Sequence, residues 1–77
     1  MSRADRAAQI INFLSTRQWS ITMLELGQGV GLKKTKYLEE LVDPLVKKGQ
    51  VLMEWADHPK YGRTRYFWIN REYTDDE

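Results

Sequence analysis

The stretch spanning residues 22–70 most constrains the fold, because several local signals follow one another along it. A Thr22-x-x-Glu25 box predicts a helix start, and the glycine-rich turn at residues 29–32 predicts its end. An amphipathic segment follows, and two runs rich in β-branched and aromatic residues close the stretch. This order predicts two helices joined by a glycine turn, followed by a β-hairpin.

Apolar spacing and capping residues predict the limits of three helices. Helix 1 is expected over residues 3–17, where Ser2 with Asp5 resembles a capping box. Helix 2 is expected over residues 23–28, with Leu26 and Gly27 facing inward, and helix 3 over residues 34–48. The apolar stripe of helix 3 consists of Leu38, Leu41, Val42 and Leu45. Pro44 removes one backbone hydrogen bond, so we expect it to kink helix 3 or to split off its last turn.

The hairpin is predicted from residues 51–56 and 64–70, which flank a basic loop at residues 57–63. A short extended link over residues 18–21 precedes helix 2. The chain has nine aromatic residues, more than one small core face can easily bury. We expect Trp19, Trp55 and one of Phe67 or Trp68 to fill the core, and the others to lie at a surface.

Bulk composition predicts one small domain over residues 1–70, followed by an acidic and frayed tail at residues 71–77. The net charge is +1 for the whole chain and about +4 without the tail. A second interpretation of the tail is that it screens a basic face until DNA displaces it. The chain has no cysteine and no long apolar run, so we expect a cytoplasmic protein without a membrane segment.

The order of helix, short strand, helix, turn, helix and hairpin resembles that of winged helix-turn-helix domains. These are α+β folds with three helices and a C-terminal β-hairpin called the wing. The resemblance is carried by Thr22-x-x-Glu25-Leu26-Gly27, by Gly31-Leu32, by the apolar stripe of helix 3, and by Lys47-Lys48-Gly49-Gln50-Val51. In size and order of elements, the chain also resembles the small stand-alone regulators of fimbrial operons.

The resemblance implies sequence-specific binding of double-stranded DNA by a small transcriptional regulator. In this family the first turn of helix 3 enters the major groove, while the wing contacts the backbone or the minor groove. The residues at the matching positions are Lys33, Lys34, Thr35, Lys36 and Tyr37 on helix 3, and Lys60, Arg63 and Arg65 on the wing. One half-site holds little sequence information, so a dimer or a second protein is expected.

Acidic residues on helix 3 leave a second function open. Glu39, Glu40 and Asp43 repel phosphates, and we expect them to pair with lysines on the helix surface. The modest net charge and the surplus of aromatic residues also fit a winged-helix module that binds proteins in a larger assembly. Phe13, Tyr66 and Phe67 are the candidates for such a protein contact or for a homodimer surface.

Catalysis, cofactors and metals are not expected. The single histidine, His58, cannot hold a metal ion alone, and the serines have no histidine near them in sequence. The Gly27-x-Gly29-x-Gly31 pattern lacks the preceding strand and the spacing of a nucleotide-binding loop. Carboxylate pairs such as Glu39 and Glu40 fall on a predicted open helix surface, where no pocket raises their proton affinity.

Overall fold

A computed structural model of the chain describes residues 2–33 and 35–74. Its elements, in chain order, are α1 (Arg3–Ser15), β1 (Ile21–Thr22), α2 (Met23–Val30), α3 (Thr35–Lys48), β2 (Val51–His58) and β3 (Gly62–Ile69). The fold is therefore α+β, with three helices and a small antiparallel sheet of three strands. This arrangement is compatible with a winged-helix topology.

Both predicted capping boxes are confirmed. The Ser2 hydroxyl accepts a hydrogen bond from the Asp5 amide at 3.1 Å, and the Thr22 hydroxyl accepts one from the Glu25 amide at 3.2 Å. In each box the acidic side chain also accepts from the backbone amide of the capping residue. Each box pairs two groups at a helix start that would otherwise lack partners.

The turn between α2 and α3 follows the glycine chemistry that the sequence predicts. Helix α2 continues to Val30, two residues beyond its expected end, and Gly31 ends it with φ at 74°. The amide of Leu32 donates to the Gly27 carbonyl at 2.9 Å. A Cβ atom at Gly27 would lie 2.7 Å from the Leu32 carbonyl oxygen, so only glycine permits this close approach.

Helix α3 is not split at Pro44, contrary to one of the two outcomes expected there. The helix runs without interruption to Lys48, and Gly49 follows it with φ at 90°. Pro44 is exposed on the solvent side of the helix. The Glu40 carbonyl that loses its hydrogen bond to Pro44 can therefore bond to water instead.

The core lies between the three helices and one face of the sheet. Among the described residues, ten buried apolar side chains form it: Ile10, Leu14, Ile21, Leu26, Leu38, Leu41, Val42, Leu45, Val51 and Phe67. The burial of Leu38, Leu41, Val42 and Leu45 confirms the predicted apolar stripe of α3. Phe67 is the aromatic residue of this core. Trp68 is only partly buried, which resolves the choice between the two on β3.

Strand β3 is central in the sheet, between β1 and β2. Ile21 and Met53 both pair with Phe67, so the sheet face that carries Phe67 is the one that packs on the helices. Alternation along the strands then defines two faces. The inner face carries Val51, Met53, Trp55 and Asp57 on β2 with Arg63, Arg65, Phe67 and Ile69 on β3. The outer face carries Leu52, Glu54, Ala56 and His58 with Gly62, Thr64, Tyr66 and Trp68.

The prediction that Trp19 and Trp55 fill the core is wrong. Trp19 is 78% exposed in the link before β1, and Trp55 is 51% exposed. Trp55 lies on the inner face opposite Arg65, whose guanidinium is 5.7 Å from its ring centre, in a part of the hairpin (residues 54–66) where no described side chain is buried. The strands are also longer than predicted, so the loop at the hairpin tip shrinks to residues 59–61.

The start of the expected tail is hydrogen-bonded to the end of α1. The Arg71 guanidinium donates to the carbonyls of Arg17 and Ser15, at 3.0 and 3.3 Å. Residues 75–77 lie outside the described part of the chain. Across residues 2–33 and 35–74, no helix combines the length and the apolar content needed to cross a bilayer.

Candidate nucleic-acid interface

One exposed stripe of α3 carries most of the charge on that helix. Lys36, Glu39, Glu40 and Asp43 are spaced i, i+3, i+4 and i+7, so they share one side of the helix. The opposite side holds the buried stripe, which fixes the helix against the core. We call the exposed residues the charged stripe. It consists of one lysine at the N-terminal end and three carboxylates behind it.

The carboxylates of the charged stripe bind arginines, whereas the sequence had suggested lysines. The Arg65 guanidinium donates to Glu39 at 2.8 Å and lies 3.7 Å from Asp43. The Arg3 guanidinium donates to Glu40 at 3.2 Å. Within the described residues, no lysine forms an ion pair with these carboxylates. The partners come from α1 and β3, which are far from α3 in sequence.

These ion pairs remove the excess negative charge from the middle of α3. Two arginines and Lys36 together balance the three carboxylates of the charged stripe. The positive charge that remains lies at the two ends of the helix, because Lys33 just before its start and Lys47 and Lys48 in its last turn are exposed and form no ion pair with any described residue. A polyanion that approaches α3 is therefore attracted to either end of the helix and neither attracted nor strongly repelled along its middle.

The structure brings only some of the predicted helix residues to the surface. Lys33, Thr35 and Lys36 are exposed. Tyr37 is half-buried and packs against the core, with the Arg3 guanidinium 5.8 Å from its ring centre. Lys34 lies outside the described residues. The hydroxyl of Tyr37 can still contact a ligand, but its ring serves first to close the core.

The hairpin tip is held by the side chain of His58. Its Nδ1 atom accepts hydrogen bonds from the amides of Lys60 and Tyr61, at 3.0 and 3.2 Å. Its ring stacks on that of Tyr61 with 4.6 Å between the ring centres. Gly62 completes the turn with φ at 75°. The sequence gives no indication of this acceptor role of His58.

The two hairpin arginines have different surroundings although both lie on the inner face. The Arg63 side chain is 67% exposed and has only a 3.8 Å contact with Asp57, directly across the hairpin. The Arg65 side chain is 20% exposed and is held by Glu39 and Asp43. Lys60 at the tip is exposed. Lys60 and Arg63 are therefore available to an external anion, while Arg65 already has two partners.

Arg65 also joins the hairpin to the charged stripe. Its ion pairs connect β3 to the side of α3 that begins with Lys36. Arg63 lies two residues earlier on the same face of β3, so it shares the side of the molecule to which Arg65 points. The sequence predicts Arg65 as a DNA-binding residue and gives no indication of this connection.

The aromatic residues proposed as a contact surface differ in accessibility. Phe67 is fully buried, so it contributes to no surface. Phe13 is half-buried with its ring against Gly29, where a Cβ atom would lie only 2.1 Å from the ring. Tyr66 is partly exposed on the outer face. The most exposed aromatic side chains are instead Trp19, Trp55 and Tyr61.

In the described part of the chain, no three His, Cys, Asp or Glu side chains lie close enough together to hold a metal ion. A groove of about 420 Å3 between α2 and α3 is mostly apolar, with Lys33 and Thr35 at its edge.

No protein-family model matches the chain, and no curated protein shows significant sequence similarity to it.

Proposed function

We propose that the chain is a winged helix-turn-helix protein that binds double-stranded DNA and regulates transcription. The single observation that carries the proposal is the Arg65 bridge between the wing and the charged stripe. It supports a shared side for the cations at the start of α3 and at the wing tip. Two cationic elements on one side suit a duplex, because one can enter a groove while the other binds the adjacent phosphates.

In this proposal only the first turn of α3 enters the major groove. Lys33, Lys34, Thr35 and Lys36 contact base edges and phosphates there, aided by the dipole at the helix start. The pairing of Glu39, Glu40 and Asp43 with arginines reduces their repulsion of the backbone. The depth of insertion is limited, because the middle of α3 offers DNA no net positive charge.

The wing contributes Lys60 and Arg63, while Arg65 acts as a positioning residue. Its partners on α3 hold the wing at a fixed distance from the helix, so the tip meets the backbone next to the groove that α3 occupies. Each domain reads only a few base pairs. The protein therefore acts as a dimer, or with a second protein, to reach a useful specificity.

The salt dependence of binding tests the proposal. Five cations, three on the helix and two on the wing, predict a slope of about −4.5 for log affinity against log salt concentration per domain. The variant K36Q/R63Q removes two of them. We expect its slope to be smaller by about 1.8, and its affinity at 0.1 M salt to fall about 60-fold relative to a 1 M reference. Fluorescence anisotropy with a labelled random duplex measures both quantities.

The matched control is K47Q/K48Q, which removes the same charge from the other end of α3. Lys47 and Lys48 are exposed and lie about 16 Å along the helix from Lys36. This distance exceeds the screening length of about 10 Å at 0.1 M salt, so we expect little change in slope. The proposal would be contradicted if both variants lost DNA affinity equally, or if the wild-type slope were near zero. Circular dichroism verifies that each variant is folded.

A second function is favoured by one observation. Two tryptophans, Trp19 and Trp55, are more than half exposed, which is typical of residues that bind another protein. A winged-helix module in a larger assembly would expose such tryptophans and would show no strong salt-dependent binding of DNA. The titration above separates the two functions, because a protein-binding module has no reason to distinguish K36Q/R63Q from K47Q/K48Q.

A further inference from the structure

The two faces of the hairpin differ in charge. Both strand arginines, Arg63 and Arg65, belong to the inner face together with Asp57. The outer face carries one carboxylate, Glu54, and no lysine or arginine. In the described part of the chain, Glu54 forms no ion pair and no side-chain hydrogen bond. The outer face is therefore unsuited to DNA and suited to a positive group.

A cleft of about 300 Å3 crosses the outer face and joins this carboxylate to two indole rings. Its lining residues are Gln18, Trp19, Ser20, Glu54 and Trp68. Trp68 stands on the central strand β3, and Glu54 stands on the neighbouring strand β2. Residues 18–20 lead into β1 on the other side of β3. The cleft thus spans the width of the sheet and is open to solvent.

The chemistry of the lining selects a positive group that is planar and rich in hydrogen-bond donors. Tryptophan is the aromatic side chain that attracts cations most strongly to its face. The Glu54 carboxylate, the Gln18 amide oxygen and the Ser20 hydroxyl can all accept hydrogen bonds. A guanidinium group has five donors and no acceptor, stacks on aromatic rings, and binds a carboxylate with two parallel hydrogen bonds.

We propose that this cleft binds the guanidinium group of an arginine that a partner protein presents. The group stacks on Trp68, is flanked by Trp19, and donates to Glu54. The protein then engages two macromolecules at once, with DNA on the side of the charged stripe and the partner on the outer face. The site does not depend on DNA binding, because it shares no residue with the proposed DNA contacts.

The chain's own arginines on the hairpin and at its C-terminal end do not fill the cleft. Arg63 and Arg65 extend from the inner face, and Arg71 donates to the carbonyls of Ser15 and Arg17. A partner is therefore the source that the charge distribution favours. A second copy of this chain is the competing source, and it becomes an outcome of the test.

The test uses small probes that differ only at the end of the side chain. The full chain is titrated with N-acetyl-arginine methylamide, with the neutral citrulline analogue and with the lysine analogue, while NMR follows the indole N–H signals. We expect the arginine probe to shift the signals of Trp19 and Trp68 in a saturable way. We also expect the citrulline and lysine analogues to bind at least about tenfold more weakly, because they lose charge or the paired hydrogen bonds.

Three variants distinguish this site from nonspecific attraction. E54Q and W19A are each expected to reduce arginine binding at least about tenfold, since each removes one half of the site. W55A is the matched control, because Trp55 is an exposed tryptophan on the inner face, and it should bind the arginine probe normally. All three side chains are exposed, so each variant should remain folded, and the one-dimensional NMR spectrum of each verifies this.

Three outcomes of these experiments would contradict the proposal. Equal binding of the citrulline analogue would remove the role of charge, and equal binding of the lysine analogue would remove the role of the guanidinium. Self-association in sedimentation experiments that W19A abolishes would identify a second copy as the occupant in place of a partner. A failure of DNA binding in the salt titration would leave this result unaffected, so the two proposals are tested separately.

Discussion

The Arg65 bridge predicts a measurable coupling between the wing and α3. Arg65 and Glu39 lie 2.8 Å apart, and their side chains are 20% and 39% exposed. A hydrogen bond between charged groups contributes about 1.5–3 kcal/mol when shielded from water, whereas a fully exposed ion pair contributes about 0.2–1 kcal/mol. The intermediate exposure places the expected coupling energy at about 1 kcal/mol.

A double-mutant cycle measures this coupling. The variants are R65Q, E39Q and R65Q/E39Q, and the free energy of unfolding comes from urea denaturation followed by circular dichroism. We expect R65Q alone to be the most destabilised, because it leaves both Glu39 and Asp43 without their partner. For a domain of this size, about 1 kcal/mol corresponds to a melting temperature lower by about 4–8 °C.

The same variants separate a positioning role from a direct contact with DNA. R65Q/E39Q keeps the net charge of the chain, so its salt slope should equal that of the wild type if Arg65 touches no phosphate. R63Q, which removes the exposed neighbour, should lower the slope by about 0.9. A coupling energy below about 0.3 kcal/mol would refute the bridge. A slope reduced by about 0.9 in R65Q/E39Q would show that Arg65 itself binds the backbone.

Three further predictions concern the turn, the core and the hairpin tip. G31A should lower the free energy of unfolding by about 1 kcal/mol, and G31N should lower it by less, because φ is 74° at Gly31 and a Cβ atom there meets no other atom. Equal stability of the wild type, G31A and G31N would contradict this. F67A should cost about 3–5 kcal/mol, whereas W19A should change stability by less than about 0.5 kcal/mol, as thermal melts can show. H58A should speed hydrogen exchange at the amides of Lys60 and Tyr61 about three- to tenfold, since both lose their acceptor; unchanged exchange would remove the role of His58.

Local signals in the sequence predict most of the helical part of the fold. The capping boxes at Ser2 and Thr22 and the positive φ at Gly31 depend on residues only a few positions apart, so the sequence contains all the required information. The buried stripe of α3 follows from helical periodicity in the same way. Helix ends were less predictable. At the end of α1, for example, Thr16 and Arg17 donate to carbonyls three residues back and tighten the last turn.

Contacts between distant segments explain what the sequence did not predict. Glu39 pairs with Arg65, which is 26 residues away, so helical spacing alone pointed wrongly to nearby lysines. Trp55 has the hydrophobicity of a core residue, but it lies in the part of the hairpin where no described side chain is buried, so it stays exposed. The sequence did contain one signal for this, because Asp57 and Arg63 mark that end of the hairpin as solvated on the same face as Trp55.

The distribution of charge distinguishes the two faces of the hairpin. The inner face near the tip carries the exposed cation Arg63. Of the strand residues on the outer face, Glu54 is the one that carries a carboxylate, and it lines the cleft together with Trp19 and Trp68. A one-residue shift of register would move every side chain to the opposite face and mix these charges. The register is fixed instead by Phe67, whose burial between Ile21 and Met53 leaves β3 no alternative position. The same core residue that stabilises the fold therefore also keeps the charges of the two hairpin faces apart, as the two proposed contacts require.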